Sequence, residues 1–501
     1  MSPFVQLLWE KGTAYEKEVI SNLDVPFVDL SIYAGDEKER LTWEAIRRGE
    51  PLIYSGRISA DDLLGDPGDH EDDAVERLGA NLRLEAATGH GRIYGAANVQ
   101  ATRQDYDETG PDDTRARLDG RTVRFAGGGD VAIGTQVRLA TDLATTAVDN
   151  QRAAWAYPAP AFTPVPAEKD YRGREDYATA RATVGDGRVD RIHAGGQVTA
   201  GIDLRRASAQ QETDGVTEWD DHDGQLGLWG HGLIGSRRFV LSGALRRDEH
   251  SDFDGVTTGR LAAGMTPDAS ITLRGAYATG YRAPSLYQRY GSESGDFPYR
   301  GNPDLQPETS RSYELGVDAR PTGDADRLHL GLTGFRTEFS DKIDYDYSGF
   351  PVYTYRNLSG EAWTRGIESE AEAGDLAGSG VDLRLWYTFT DTDDGAGEPL
   401  GYVPRHLGGA RVGIHGDAGD WRWRAGASAE RTSGYRAYLT SISGLGTMPG
   451  YWLASVDAGA TWRGTWDIGL SLRNALDEDY AVTEGYSTMP RALFATLTAS
   501  F

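Results

Sequence analysis

From about Asp73 to its end the chain keeps a period of two. Leu78, Ala80, Leu82, Leu84 and Ala86 alternate with Gly79, Asn81, Arg83 and Glu85, so an extended strand here has one apolar and one polar face. The same alternation returns over 93–101, 131–139, 198–204, 239–245, 328–332, 381–385 and 468–472. Turn clusters separate the runs, some tight, such as Gly374-Asp375, and some long and acidic, such as the stretch from Asp105 to Asp119. Short turns alternating with long loops are the pattern of a transmembrane barrel.

Composition agrees. The mean hydropathy is −0.52, and no continuous apolar run reaches the roughly 20 residues a membrane helix needs. In a barrel only alternate residues face lipid while the interior is polar, which dilutes the apolar content. The 64 glycines, 25 tyrosines and 12 tryptophans suit turn-rich strands and interfacial aromatic girdles. A strand crossing takes about 9 to 11 residues, and a hairpin with one short turn and one long loop about 40, so the alternating region holds on the order of 22 strands. The expected fold is all-β: a large antiparallel transmembrane β-barrel with a small N-terminal α/β fragment.

Residues 280–317 break the alternation. Pro284, Pro298, Pro303 and Pro307, with Gly291, Gly295 and Gly301, are expected to exclude regular structure over about twenty residues. Ile271, Leu273, Gly275 and Tyr277 lead in, and Tyr313, Leu315, Val317 and Ala319 lead out, which makes one very large hairpin. Gly280-Tyr281-Arg282-Ala283-Pro284-Ser285-Leu286 followed by Gly301-Asn302-Pro303-Asp304-Leu305-Gln306-Pro307-Glu308-Thr309-Ser310 resembles the barrel signature of TonB-dependent outer-membrane receptors. Asn357 to Gly360 with Ala362 and Arg365-Gly366-Ile367-Glu368 is similar to a strand pair of that family, with one extra residue before Ala362. Leu472 to Tyr480, Pro490-Arg491 and Phe501 resemble its final hairpin, in the flavour of the vitamin B12 transporters.

The resemblance implies binding of a cobalamin-like ligand or an iron chelate by external loops, in an outer membrane of lipid and lipopolysaccharide. Tyr281, Tyr287, Tyr290, Phe297 and Tyr299 are then candidates to stack on a flat ligand, or to form an aromatic girdle and a packed loop base. Arg282 and Arg289 are candidates to pair with an anionic ligand, or with carboxylates of the lumen wall. Vitamin B12 receptors order their external loops with calcium, which makes Asp105, Asp107, Asp112 and Asp113 candidate ligands; solvated loop carboxylates are the plainer reading. Asp252-Phe253-Asp254-Gly255 and Asp391 to Gly395 open like calcium loops but have no glutamate six residues after the glycine. The last ten residues, ending on Phe501, suit a final strand and its assembly signal.

Residues 1–66 read differently. Tyr15, Val19 and Leu23, then Leu41, Ala45 and Ile46, suggest two short helices, and Val25 to Leu30 one short strand. Glu10 and Lys11 cut the first apolar run short, so no signal peptide is expected there. Phe4 to Gly12, Glu16, Glu18-Val19, Glu39 to Thr42, Ala45-Ile46 and Ile53 to Arg57 resemble the start of a RecB-like nuclease. That family's Gly-x-Pro-Asp step and Glu-x-Lys strand are missing, and with them the metal ligands and the orienting lysine. The expected layout is a non-functional nuclease-like fragment over 1–66, a junction over 67–72 and the receptor barrel over 73–501, without the plug and energy-coupling box that the resemblance calls for. A plugless barrel makes a passive diffusion pore the first alternative.

No enzyme is expected. There is no cysteine, no His-x-x-x-His spacing among nine histidines, and no lysine beside Gly127-Gly128-Gly129, which reads as a hairpin turn. The net charge of −26 argues against nucleic-acid binding. Only five of the 51 basic residues are lysine, an Arg-rich, acidic habit from which no function follows.

Overall fold

The computed structural model describes residues 27–34, 75–107, 115–156, 165–185, 195–236, 238–293, 299–321, 328–346, 352–439, 444–484 and 488–499. Twenty strands join edge to edge in one antiparallel sheet, from Phe27–Ala34 to Ala492–Ala499, each paired with its neighbours in chain order. Three two-stranded ribbons, at 292–293/299–300, 343–346/354–357 and 435–439/444–448, stand outside the sheet. Six consecutive strands, Gly91–Asp107 to Val216–Ser236, are 17 to 21 residues long.

Alternation builds the wall. Leu273 lies opposite Val317, Val317 opposite Leu332, and Tyr277 opposite Tyr313, so outward apolar side chains form continuous cross-strand rows. They stay exposed, Leu245, Leu315 and Leu493 at 64%, 74% and 71%, as a lipid-facing surface requires. The other face is an arginine and carboxylate lattice, with Arg274 reaching Asp318 (2.6 Å), Arg411 reaching Asp457 (2.8 Å) and Arg424 reaching Asp467 (2.8 Å). Apolar burial is concentrated instead in the connections on the long-loop side: Leu305, Tyr299, Ile343, Tyr435, Ala437 and Met448 are all buried there. By the barrel rule that side is external and the short turns, such as 89–90 and 419–420, are periplasmic.

Two turn assignments change places. Gly127-Gly128-Gly129 is not a hairpin turn but the middle of the strand Arg115–Ile133, and the turn falls at 134–136, inside the run expected to be a strand over 131–139. Both come from cross-strand contacts. A Cβ on Gly128 would lie 2.5 Å from the Thr141 carbonyl and 2.6 Å from Asp142 Oδ1, while Tyr94 donates its hydroxyl to that same Oδ1 at 2.8 Å. Gly134, at φ +64°, supplies the left-handed residue of the actual turn.

The short strand expected at Val25 to Leu30 is present as Phe27–Ala34, and it is the first strand of the sheet. The register sets Val28, Leu30, Ile32 and Ala34 opposite Leu84, Leu82, Ala80 and Leu78, and Asp29 opposite Arg83. Its own alternation therefore matches that of its neighbour. The two helices expected in this stretch lie outside the described residues.

Candidate ligand site

The large hairpin expected from the sequence is present as Ile271–Arg282 and Glu308–Ala319, with Arg282 opposite Glu308. Its connection is not irregular throughout. Leu286–Tyr290 is a short helix, with Ser285 and Gln288 exchanging bonds in a capping box at 3.1 and 3.0 Å. Pro284 precedes the cap and Gly291 ends the helix, so the segment between them is free of both breakers, and a local cap decides it.

Two of the three receptor-like motifs meet here. The Asn357 side chain accepts from the Gln306 amide (2.9 Å) and donates to the Gln306 carbonyl (2.9 Å) and the Asp341 carbonyl (2.7 Å). Asn302 donates to the Tyr355 carbonyl at 2.9 Å. In the final hairpin, buried Asn474 donates to the carbonyls of Glu478 (2.9 Å) and Met489 (3.1 Å), tying the two sides of the loop. Asn302 and Asn357 are thus clasps between loops, and Asn474 a clasp within one.

Beneath the helix a cavity of about 980 Å³ opens on the lumen wall, its lining including Arg205, Trp219, Gln225, Asp248, Tyr281 and Tyr287. Its floor is a connected polar network. Arg246 donates to Asp248 at 2.7 Å and also to Asp203, Gln225 donates to Asp248 at 2.7 Å, and the Tyr281 hydroxyl meets Gln225 (3.2 Å) and His250 (2.9 Å). Fully buried Gln211 accepts from the Trp219 indole at 3.1 Å, and Trp219 meets Tyr287 edge-on at 6.3 Å. Arg205 is held between Glu175 (2.7 Å) and Asp223 (3.2 Å). Such a site offers two aromatic surfaces, an arginine and orientable hydrogen-bonding groups, which suits a flat, polar or anionic ligand.

Of the residues singled out from the sequence, Tyr281 and Tyr287 line this cavity. Arg282 is not among the lining residues and pairs with Glu308 at 2.6 Å. Arg289 is buried and ion-paired with Asp252 at 2.7 Å, so it fastens the loop instead of facing the lumen. Tyr299 is also buried; it stacks on Tyr287 at 4.7 Å and donates to the Tyr287 carbonyl at 2.9 Å, and so belongs to the loop base. Tyr290 packs under the Arg289 guanidinium at 4.8 Å, and burial pushes its phenol up from the usual tyrosine range. Phe297 lies outside the described residues.

Of the four aspartates proposed for calcium, Asp105 and Asp107 belong to the strand Gly91–Asp107, in register with Arg117 and Arg115. Asp112 and Asp113 lie outside the described residues. Trp219, Gln225, Arg205 and Asp248 were missed. Their signal, a polar residue at alternate strand positions, is shared by dozens of lumen residues, and only the long-range register brings these four together.

The family described as TonB dependent receptor-like, beta-barrel matches residues 55–475. The chain belongs to that family. The receptor barrel is 25% identical over 266 residues to the vitamin B12 transporter BtuB of Vibrio cholerae serotype O1, a match covering 53% of this chain and 40% of the relative. The chain thus spans about 40% of the length of the curated relatives it matches. Among solved structures, the siderophore receptor PirA from Acinetobacter baumannii shares the fold with a TM-score of 0.64 at 15% identity, over 87% of this barrel and 79% of PirA. The ferripyoverdine receptor of the outer membrane of Pseudomonas aeruginosa matches with a TM-score of 0.63 at 14% identity, over 85% and 65%.

Proposed function

We propose that this barrel lies in a bacterial outer membrane, among lipid and lipopolysaccharide, and binds a small-molecule ligand of the cobalamin or iron-chelate class at its external mouth for transport inward. The observation that carries the reading is the cavity beneath the helix Leu286–Tyr290, lined by Trp219, Tyr281 and Tyr287 beside Arg205 and Gln225. A loop with its own capped helix and buried ion pair is built to hold a shape, which a simple diffusion pore does not need. The relatives are named as a transporter and receptors, in keeping with a role without catalysis. Energy from a TonB system would enter through a plug, the element on which this family's coupling depends, and calcium held by Asp105, Asp107, Asp112 and Asp113 would order the external loop they belong to.

The test is equilibrium binding to the chain folded in detergent micelles. Tryptophan quenching by cyanocobalamin and by ferric catecholate and hydroxamate chelates should saturate for one class. Linear, non-saturable responses to all of them would favour the pore.

A further inference from the structure

We propose a divalent transition-metal site on the lumen wall at its periplasmic end, formed by His329, Glu370 and Glu372. His329 opens the strand His329–Ser340 and lies directly opposite Glu372 in the neighbouring strand Ala362–Ala373. Glu370 is two residues from Glu372, so period-two alternation returns it to the same face. One ligand atom from each of the three falls within 4.8 Å of the others, and this is the one such triad among the described residues. Ligands around a tetrahedral zinc ion sit roughly 3.3 Å apart, at metal distances of about 2.0–2.2 Å. Glutamate side chains can make that contraction by changing rotamer, without moving the ladder.

The surroundings favour a dication. His329 and Glu370 open on a half-buried cavity of about 480 Å³, whose lining also includes Asp318, Glu368, Arg274 and Arg384; Glu372 lines a second cavity that shares Arg384 with it. Counting Asp318, Glu368 and Glu370 against Arg274 and Arg384, the lining of this first cavity carries one negative charge more than positive ones. Arg384 engages one oxygen of Glu372 (3.0 Å) and one of Glu370 (3.4 Å), and Asp318 approaches His329 Nε2 at 3.4 Å while its other oxygen holds Arg274. The guanidiniums thus orient the carboxylates from outside, and Asp318 stands ready as a fourth oxygen donor. One imidazole with carboxylates is a donor set that suits zinc, and water from the lumen can complete the shell.

Zinc itself is the probe. The full chain in detergent micelles, titrated against a chromophoric zinc chelator, should bind about one equivalent. His329→Gln and Glu370→Gln should each weaken binding at least tenfold, while His415→Gln, at another histidine beside a carboxylate (Asp382, 3.6 Å), should leave it unchanged. Variants are compared once β-sheet circular dichroism and heat-modifiable migration match the parent. Should the substituted chains fail to fold, the parent alone decides, by whether it binds about one equivalent of zinc. No zinc bound by the parent, equal binding by His329→Gln, or an equal loss in His415→Gln would each overturn the proposal.

Discussion

Arg289 lies 2.7 Å from Asp252, a buried ion pair that fastens the helix Leu286–Tyr290 to the neighbouring hairpin loop. Arg289 also donates to the carbonyls of Asp252 (3.3 Å) and Pro303 (3.1 Å), so one guanidinium holds three points of the external layer. Removing one partner of a buried pair leaves the other charge uncompensated and costs about 3–5 kcal/mol. Arg289→Ala should therefore loosen the loop while the wall stays folded. Limited proteolysis should show new cleavage between Ala283 and Pro307, with the barrel's heat-modifiable band retained; protection equal to the parent's would refute this.

The lipid face gives a second prediction. Leu315 is mid-strand and strongly exposed outward, so Leu315→Arg should cost about 2–4 kcal/mol on folding into lipid vesicles. Glu314→Gln, on the opposite face of the same strand, should stay within about 0.5 kcal/mol. Equal costs at the two positions would mean that the faces are assigned the wrong way round.

A third concerns the ligand. Tyr287→Ala removes one aromatic surface of the cavity together with its packing against Trp219 and Tyr299. An aromatic contact contributes about 0.5–1.5 kcal/mol beyond area burial, so binding of the saturating chelate should weaken about tenfold. Tyr287→Phe should bind like the parent. A Phe variant as weak as the Ala variant would place the effect in the hydroxyl.

The wall and the large hairpin were legible in the sequence because their signals are local or strictly periodic. Leu273 and Val317 each stand in an alternating run, and those runs are opposite one another in the sheet. The glycine run 127–129 was misread for the opposite reason. Local propensity marks it as a turn, whereas its role is to let Tyr94 reach Asp142 across the ladder, a contact spanning 48 residues. The cap on Leu286–Tyr290 was written in Ser285 and Gln288 but hidden among prolines. Arg289 was legible as a charge but not as a buried one, because Asp252 comes from another hairpin.

The external layer has its own pH limit. Burial holds the Tyr435 phenol above the usual value of 10.0, and its hydroxyl donates to the Val482 carbonyl at 2.8 Å. A raised folded value means that this contribution is fully present below about pH 10 and is lost as pH rises through the folded value. The ribbon Tyr435–Leu439 with Gly444–Met448 should become protease-sensitive as the pH rises above that value, and Tyr435→Phe should abolish that sensitivity. A parent ribbon no more sensitive in strong alkali than the Phe variant would contradict this.

The unequal strand lengths give the barrel a sloping rim. From Gly91–Asp107 to Val216–Ser236 the strands run to 17 residues or more, whereas those from Phe239–His250 to Tyr451–Trp462 have 12 or 13. At about 3.3 Å per residue, the extra residues raise one side of the mouth by roughly 20 Å. A molecule arriving at the tall side meets a continuous hydrogen-bonded parapet, and one arriving at the low side meets folded-over ribbons and clasped loops. The entrance is therefore lopsided, and a ligand would enter as if over a harbour wall with one low quay, with the helix Leu286–Tyr290 at the landing.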